Sequence, residues 1–286
     1  MQIVFKKNIA NLISIINLLL GFVAIVLMSL SFLNLNSQEN LKTACLLIFL
    51  AAIVDVFDGK IARKLDIAGD FGKEIDSLAD LVSFCLAPSL LIFTYYYDLI
   101  NLNIYILIIL SSLPLVCGAI RLADFNSNVE KTKFSYYLGL PTPSNALFIC
   151  SSILFMFNMD FLMLDTDIES LLFFLNNNSN EFFIFTIMKY PFSYLLGLSS
   201  YSIIALCSFT SFLLISKIRF SKFPVLNYQI LVTNLWKLVF FIFFIIISIL
   251  SIIYNQHNIL ILFFISYYII SGVINSLYLN FKGHLL

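Results

Sequence analysis

DVFDGKIARKLDIAGDFGKEIDSLAD, residues 55–80, lies between two long apolar runs and holds seven of the sixteen acidic residues of a 286-residue chain. The chain as a whole is 61% hydrophobic and only 11% charged, with a mean hydropathy of +0.99. A soluble globule of that composition would lack the polar surface to cover itself, so an integral membrane protein is expected. Each crossing takes about 20 mostly apolar residues as helix, and the apolar runs here are continuous rather than alternating, which excludes an outer-membrane-type barrel. Eight spans are expected, at roughly 11–33, 41–64, 73–97, 103–122, 143–160, 194–216, 236–254 and 258–279. The fold class is therefore all-α, a polytopic transmembrane helical bundle of about eight helices. The first run, IANLISIINLLLGFVAIVLMSLSF, is too long for a signal peptide and has no small-residue cleavage site, so it reads as a permanent helix.

Lys and Arg set the orientation through the positive-inside bias. With the N-terminus inside, Lys6, Lys7, Lys60, Arg63, Lys64, Lys73, Arg121, Lys131, Lys133, Lys217, Arg219, Lys222, Lys237 and Lys282 fall on one side, leaving Lys42 and Lys189 opposite. Both termini are expected in the cytoplasm, in the plasma (inner) membrane, with the acidic stretch at the cytoplasmic face. No nucleic-acid partner is expected. The five cysteines all fall within spans at no metal-ligand spacing and read as small buried hydrophobes. The stretch 160–193 reads as an external segment with apolar pieces too short to span, and 124–143 as a structured loop whose GLPTPS leads into a helix.

The carboxylates themselves are patterned. Asp55 and Asp58 are three residues apart and Asp76 and Asp80 four, so each pair shares a helix face. Gly69 and Gly72 lie between the pairs and can end one helix and start the next, which would turn the pairs toward each other across a hairpin. A carboxylate in the apolar zone costs about 2.5–3.5 kcal/mol, so four unpaired ones would cost on the order of 10 kcal/mol. A salt-bridged, partly solvated helix end, with Arg63 and Lys64 neutralising some of the charge, is the plainer account. It does not explain why the acids converge on facing stripes, whereas Asp66, Asp70 and Glu74 read as the solvated remainder. Carboxylates without His or Cys favour a hard ion, Mg²⁺ or Mn²⁺, and a pair of such ions is the usual clamp for displacement at phosphorus. Small residues, Gly59 and Ala62, would let a phosphorylated ligand approach the backbone.

Read as DxxDGxxAR, eight residues, then GxxxDxxxD, the stretch resembles the signature of the CDP-alcohol phosphatidyltransferases. Asp55, Asp58, Gly59, Ala62, Arg63, Gly72, Asp76 and Asp80 occupy its fixed positions. The resemblance implies a six-helix membrane core, here followed by two C-terminal helices, two divalent ions, a CDP-activated lipid donor and an alcohol acceptor. It also implies a homodimer. By the same resemblance Asp55, Asp58, Asp76 and Asp80 are metal ligands and Asp80 is also the general base. Asn11, Gly59, Ala62, Arg63, Gly69, Gly72 and Lys131 are then expected to bind CDP-diacylglycerol, with the Arg63 fork on a phosphate. A lipid donor keeps its chains in the bilayer and its headgroup at the surface, which is the depth at which these carboxylates lie.

Three further segments, NLISIINLLLGFVAIV at 11–26, GKEIDSLADLVSFCLAPSLLIF at 72–93, and GAIRLADFN with GLPTPSNA at 118–126 and 139–146, are similar to the bacterial phosphatidylserine synthases within that family. This likeness implies L-serine as acceptor. Arg121 and Lys133 are candidates for the serine carboxylate, and Asp124 and Asn126 for its ammonium group. The sequence departs from the family pattern at Gly69, where a hydroxyl residue is common, and at Asp124, where a second basic residue is common. Residues 1–216 are expected to form the core, with an external insertion at about 160–193, and 217–286 a two-helix extension. The rival acceptor is glycerol 3-phosphate, whose extra phosphate would call for a denser basic pocket. A divalent-cation transporter is a distant alternative, disfavoured because the acids cluster at one face with no mirrored second half.

Overall fold

The computed structural model describes residues 2–33, 37–65, 70–97, 102–128, 136–164, 200–221 and 257–283. Eight α-helices and one short strand pair make up those residues. They are α1 (Gln2–Ser31), α2 (Ser37–Leu65), α3 (Asp70–Asp80), α4 (Ala87–Tyr97), α5 (Ile104–Asn128), β1 (Tyr136–Leu138), α6 (Thr142–Leu164), α7 (Ser200–Leu214), β2 (Arg219–Ser221) and α8 (His257–Gly283). A π-helical turn, Leu81–Leu86, joins α3 to α4 in one continuous rod. Among the described residues, four stretches are long and apolar enough to cross a bilayer: Asn11–Ser31, Phe71–Tyr97, Ile104–Ser127 and Ile261–Tyr278. The protein is an all-α membrane bundle, and described helices fall on seven of the eight expected spans. The span expected at 236–254 and the segment 165–193 lie outside the described residues.

The helices meet through small residues. Ala24, Ala44, Cys45, Ala51, Ala87 and Cys150 have no exposed surface, and Ile48, Leu91, Ile149 and Ile153 fill the spaces between them. Small side chains let helix backbones approach closely where lipid removes any hydrophobic gain from association. The large apolar side chains point the other way: Leu12, Phe22, Ile109 and Ile274 are exposed, as a lipid-facing surface requires. Hydroxyls within the apolar zone turn back onto their own helix, as in Ser152 Oγ to Phe148 O at 2.7 Å and Ser208 Oγ to Ile204 O at 2.8 Å. All five cysteines are buried free thiols, as their placement in the sequence leads one to expect.

Two local departures from regular helix shape the bundle. Pro114 interrupts α5, and the neighbouring Leu115 N–H is taken up by Ser89 Oγ of α4 at 3.0 Å, which ties the two helices at the break. Pro88 stands at the second position of α4, immediately beyond the π turn, and has no N–H to return to the carbonyl four residues back. The π turn itself was not legible as a change of period; the sequence reads there as one uniform apolar run.

The stretch after α5 also differs from expectation. The helix runs on to Asn128 rather than ending near 122, and Tyr136–Leu138 then pairs antiparallel with Arg219–Ser221, with Tyr137 opposite Phe220. Gly139 closes this pairing at φ +74°, donating to Ile218 O at 2.9 Å. A side chain there would be strained and would run into Leu214 O. The glycine of GLPTPS therefore makes a tight tertiary turn, and Thr142 begins α6.

Gly118 of α5 lies directly over Cys85 of the π turn, where a Cβ would overlap the sulfur. Gly118→Ala should lower the thermal unfolding midpoint of the detergent-solubilised protein by several degrees, about 1–3 kcal/mol of overpacking. Adding Cys85→Ala should recover most of that loss. Equal stability of wild type and Gly118→Ala would contradict the close approach.

Candidate active site

Two rods bring the carboxylates together. Asp55 belongs to the C-terminal half of α2, and Asp76 and Asp80 to α3, which packs beside α1. One oxygen from each of Asp55, Asp76 and Asp80 lies within 4.8 Å of the others, and all three side chains are half-buried. At an effective dielectric near 20, two carboxylates at that separation repel by about 3 kcal/mol, so three charged together cost on the order of 10 kcal/mol. A cation between them removes the repulsion. The donor set, oxygen only and with no His or Cys, fits a hard divalent ion rather than a thiophilic one.

The remaining expected residues divide into groups. Asp58, Gly59, Ala62 and Arg63 lie on the last turns of α2, but their side chains are outside the described residues, as are Gly69, Lys131 and Lys133. Gly72 sits in the first turn of α3 against Asn11 of α1, whose Oδ1 would be 3.1 Å from a Cβ at that glycine. Asn126 exchanges hydrogen bonds with Ser77, at 3.0 and 3.2 Å, which fastens the end of α5 to α3 next to Asp76. Asp124 is exposed on the last turns of α5. Arg121 is half-buried and within electrostatic reach of Asp80, and its Nε is wholly buried with no hydrogen-bond partner among the described residues.

One residue of the site went unremarked in the sequence. Asn17 of α1 is 1% exposed and donates from Nδ2 to Asp80 Oδ1 at 3.4 Å. Its own backbone carbonyl accepts from Ser83 Oγ, in the π turn, at 2.8 Å. The widened turn after Asp80 thus grips the same residue of α1 that holds the Asp80 carboxylate, and π turns of this kind often stand at functional sites. Because a carboxylate oxygen can only accept, the Asn17 amide must present its N–H₂ to Asp80, which turns Oδ1 away; that oxygen is buried without a partner among the described residues. The signal was present in the sequence, since a lone Asn amid IINLLLG is costly in an apolar span.

A helical membrane bundle with carboxylates from two helices gathered at one end fits the class of membrane enzymes that use a hard divalent ion, and the sequence comparisons give the chain its family. The model of the CDP-alcohol phosphatidyltransferase family matches residues 7–176, more than half of the chain. The chain belongs to the CDP-alcohol phosphatidyltransferase family, whose members generally use divalent metal ions.

Among curated proteins, it is 40% identical over 106 residues to a CDP-diacylglycerol–serine O-phosphatidyltransferase of Bacillus subtilis, covering 37% of this chain and 56% of that protein. It is 36% identical over 144 residues to an archaetidylserine synthase of Methanothermobacter thermautotrophicus, covering 49% of this chain and 55% of the other. A CDP-diacylglycerol–serine O-phosphatidyltransferase of Helicobacter pylori is 28% identical over 246 residues, 86% of this chain and 84% of its own. The chain thus spans just over half the length of the first two of these relatives and most of the third.

Mn²⁺ binding to the purified protein, followed by electron paramagnetic resonance, should weaken at least about tenfold in Asp76→Asn, which removes a charged ligand oxygen. Asp124→Asn, at the exposed end of α5, should bind as wild type does. Unaltered Mn²⁺ affinity in Asp76→Asn would remove that residue from the ligand set.

Proposed function

We propose that this protein transfers the phosphatidyl group of CDP-diacylglycerol to the hydroxyl of L-serine, releasing CMP and forming phosphatidylserine at the cytoplasmic face of the inner membrane. The observation that carries this reading is the convergence of Asp55, Asp76 and Asp80 from two helices at one end of an apolar bundle. Supporting it are the family and the names of the relatives, two of which are CDP-diacylglycerol–serine O-phosphatidyltransferases.

In this reading Asp55, Asp58, Asp76 and Asp80 hold two ions, Mg²⁺ or Mn²⁺, which when bound supply positive charge against the donor pyrophosphate. Arg63, Lys131 and the small residues Gly59, Ala62, Gly69 and Gly72 cradle the donor with Asn11. Asp80 accepts the proton of the serine hydroxyl as that oxygen attacks the lipid-bearing phosphorus and the bond to CMP breaks. Asn17 acts on Asp80: by engaging Oδ1 it fixes the carboxylate plane and leaves the second oxygen for the proton. Arg121, beside Asp80 and with an unpaired N–H, receives the serine carboxylate, with Lys133 as a second cation. The ammonium group falls to Asp124 and Asn126. Core and extension divide near residue 216.

An acceptor panel decides the reaction. Membranes supplied with CDP-diacylglycerol should release CMP with L-serine and not with glycerol 3-phosphate, and a chelator should abolish the release. Consumption of glycerol 3-phosphate in place of serine would overturn the acceptor assignment. Asp80→Asn should reduce turnover by at least about a thousandfold, in keeping with the loss of a general base and a charged ligand. Substantial activity in that variant would refute its role. Arg121→Ala should chiefly raise KM for serine, and an unchanged serine requirement would take Arg121 out of the pocket.

A further inference from the structure

Four groups stand within electrostatic reach of Arg121: Asp80 of α3, Cys85 of the π turn, and two phenols, Tyr137 of β1 and Tyr268 of α8. The phenols are within reach of one another as well. Neither belongs to the acidic signature, and α8 begins some eighty residues past the end of the family match at residue 176.

The packing that brings Tyr268 there is specific. Phe220 of β2 is fully buried, faces Tyr137 across the strand pair, and lies with its ring centroid 5.9 Å from that of Tyr268 at an interplanar angle of 37°. Gly272, one turn further along α8 and on the same face, meets the other part of the Phe220 ring, where a Cβ would overlap it. Ile265 and Ile269 are buried alongside, while Ile270 and Ile274 are exposed. Tyr268 therefore belongs to the inward face of α8, held by a phenylalanine seated in a glycine notch, and is half-buried rather than lipid-facing.

Three side chains from distant parts of the chain thus carry hydrogen-bond donors within electrostatic reach of one another: the guanidinium of Arg121, whose Nε lacks a partner among the described residues, and the phenols of Tyr137 and Tyr268. Donors grouped around a buried cation suit an oxyanion, and leaving such an N–H unpaired costs about 1–3 kcal/mol until one arrives. Two substrates of the proposed reaction carry oxyanions, the donor through its phosphates and the acceptor through its carboxylate. The placement favours the second, because Arg121 also neighbours Asp80, the group that meets the acceptor hydroxyl in the proposed reaction.

We propose that Tyr268, with Arg121 and Tyr137, cradles the carboxylate of the acceptor amino acid, so that α8 is a wall of the acceptor pocket and a determinant of specificity. The inference rests on serine being the acceptor and deepens that reading. It gives the C-terminal helix a part in substrate choice.

Tyr268→Phe tests it, since the ring that packs on Phe220 stays and only the hydroxyl goes. In detergent-solubilised full-length protein, KM for L-serine should rise about tenfold, the loss of one hydrogen bond to a charged group, while KM for CDP-diacylglycerol and the thermal unfolding midpoint stay as in wild type. An unchanged KM for serine would overturn the proposal. A rise in KM for CDP-diacylglycerol instead would also overturn it, and would assign the cradle to a donor phosphate. Failure of the reaction reading looks different: wild-type protein would then release CMP with another alcohol and not with serine. The same variant would then be titrated with that alcohol, and an unshifted KM would remove α8 from the pocket.

Discussion

Mutual repulsion among carboxylates governs this structure. Asp55 from one helix and Asp76 and Asp80 from another are pressed together in half-buried positions at the edge of an apolar bundle, an arrangement that is unfavourable unless positive charge joins them. The packing around the acids is correspondingly firm: α1 lies against both α2 and α3, Asn17 engages Asp80, and Ser77 and Asn126 fasten the end of α5 beside Asp76. Among the described residues the acid cluster is built on helices, which hold side chains more exactly than loops do.

Polar groups within the apolar zone fall into two kinds. Most are spent internally, as serine hydroxyls returned to carbonyls of the preceding turn or, in Ser89, to an N–H freed by a neighbouring proline. Near Asp80 the pattern changes, and both Asn17 Oδ1 and Arg121 Nε are buried without partners among the described residues. In a medium without water an unsatisfied polar atom is costly; Asn145 Oδ1 on α6 is another, and the two near Asp80 lie around one carboxylate.

Much of this was legible in the sequence, for identifiable reasons. Helix positions follow from apolar run length, which a bilayer makes nearly unambiguous, and the convergence of Asp55, Asp76 and Asp80 follows from spacings of three and four on either side of a glycine-bearing turn. What escaped notice depends on long-range contact or on subtle helical phase. The pairing of Tyr136–Leu138 with Arg219–Ser221 involves three residues on each strand, too few to leave a period-two signature. The π turn lies within a uniformly apolar stretch, where hydropathy is blind to winding. Asn17 did carry a signal, as an amide in an apolar span, but its partner lies 63 residues away. Tyr268 carried none, because its place is set by Phe220 and Gly272 rather than by its neighbours in sequence.

The turn from Leu81 to Leu86 divides one continuous rod into two halves that keep different angular registers. An extra residue in one turn rotates everything beyond it by about 100° relative to an unbroken α-helix. The acid-bearing half packs on α1, while the half from Ala87 onward reaches α5 and α6 as well as α1. Deleting a single residue between 81 and 86 would couple the two again and swing the buried face of α4 out toward lipid, although none of the three clustered carboxylates had been touched.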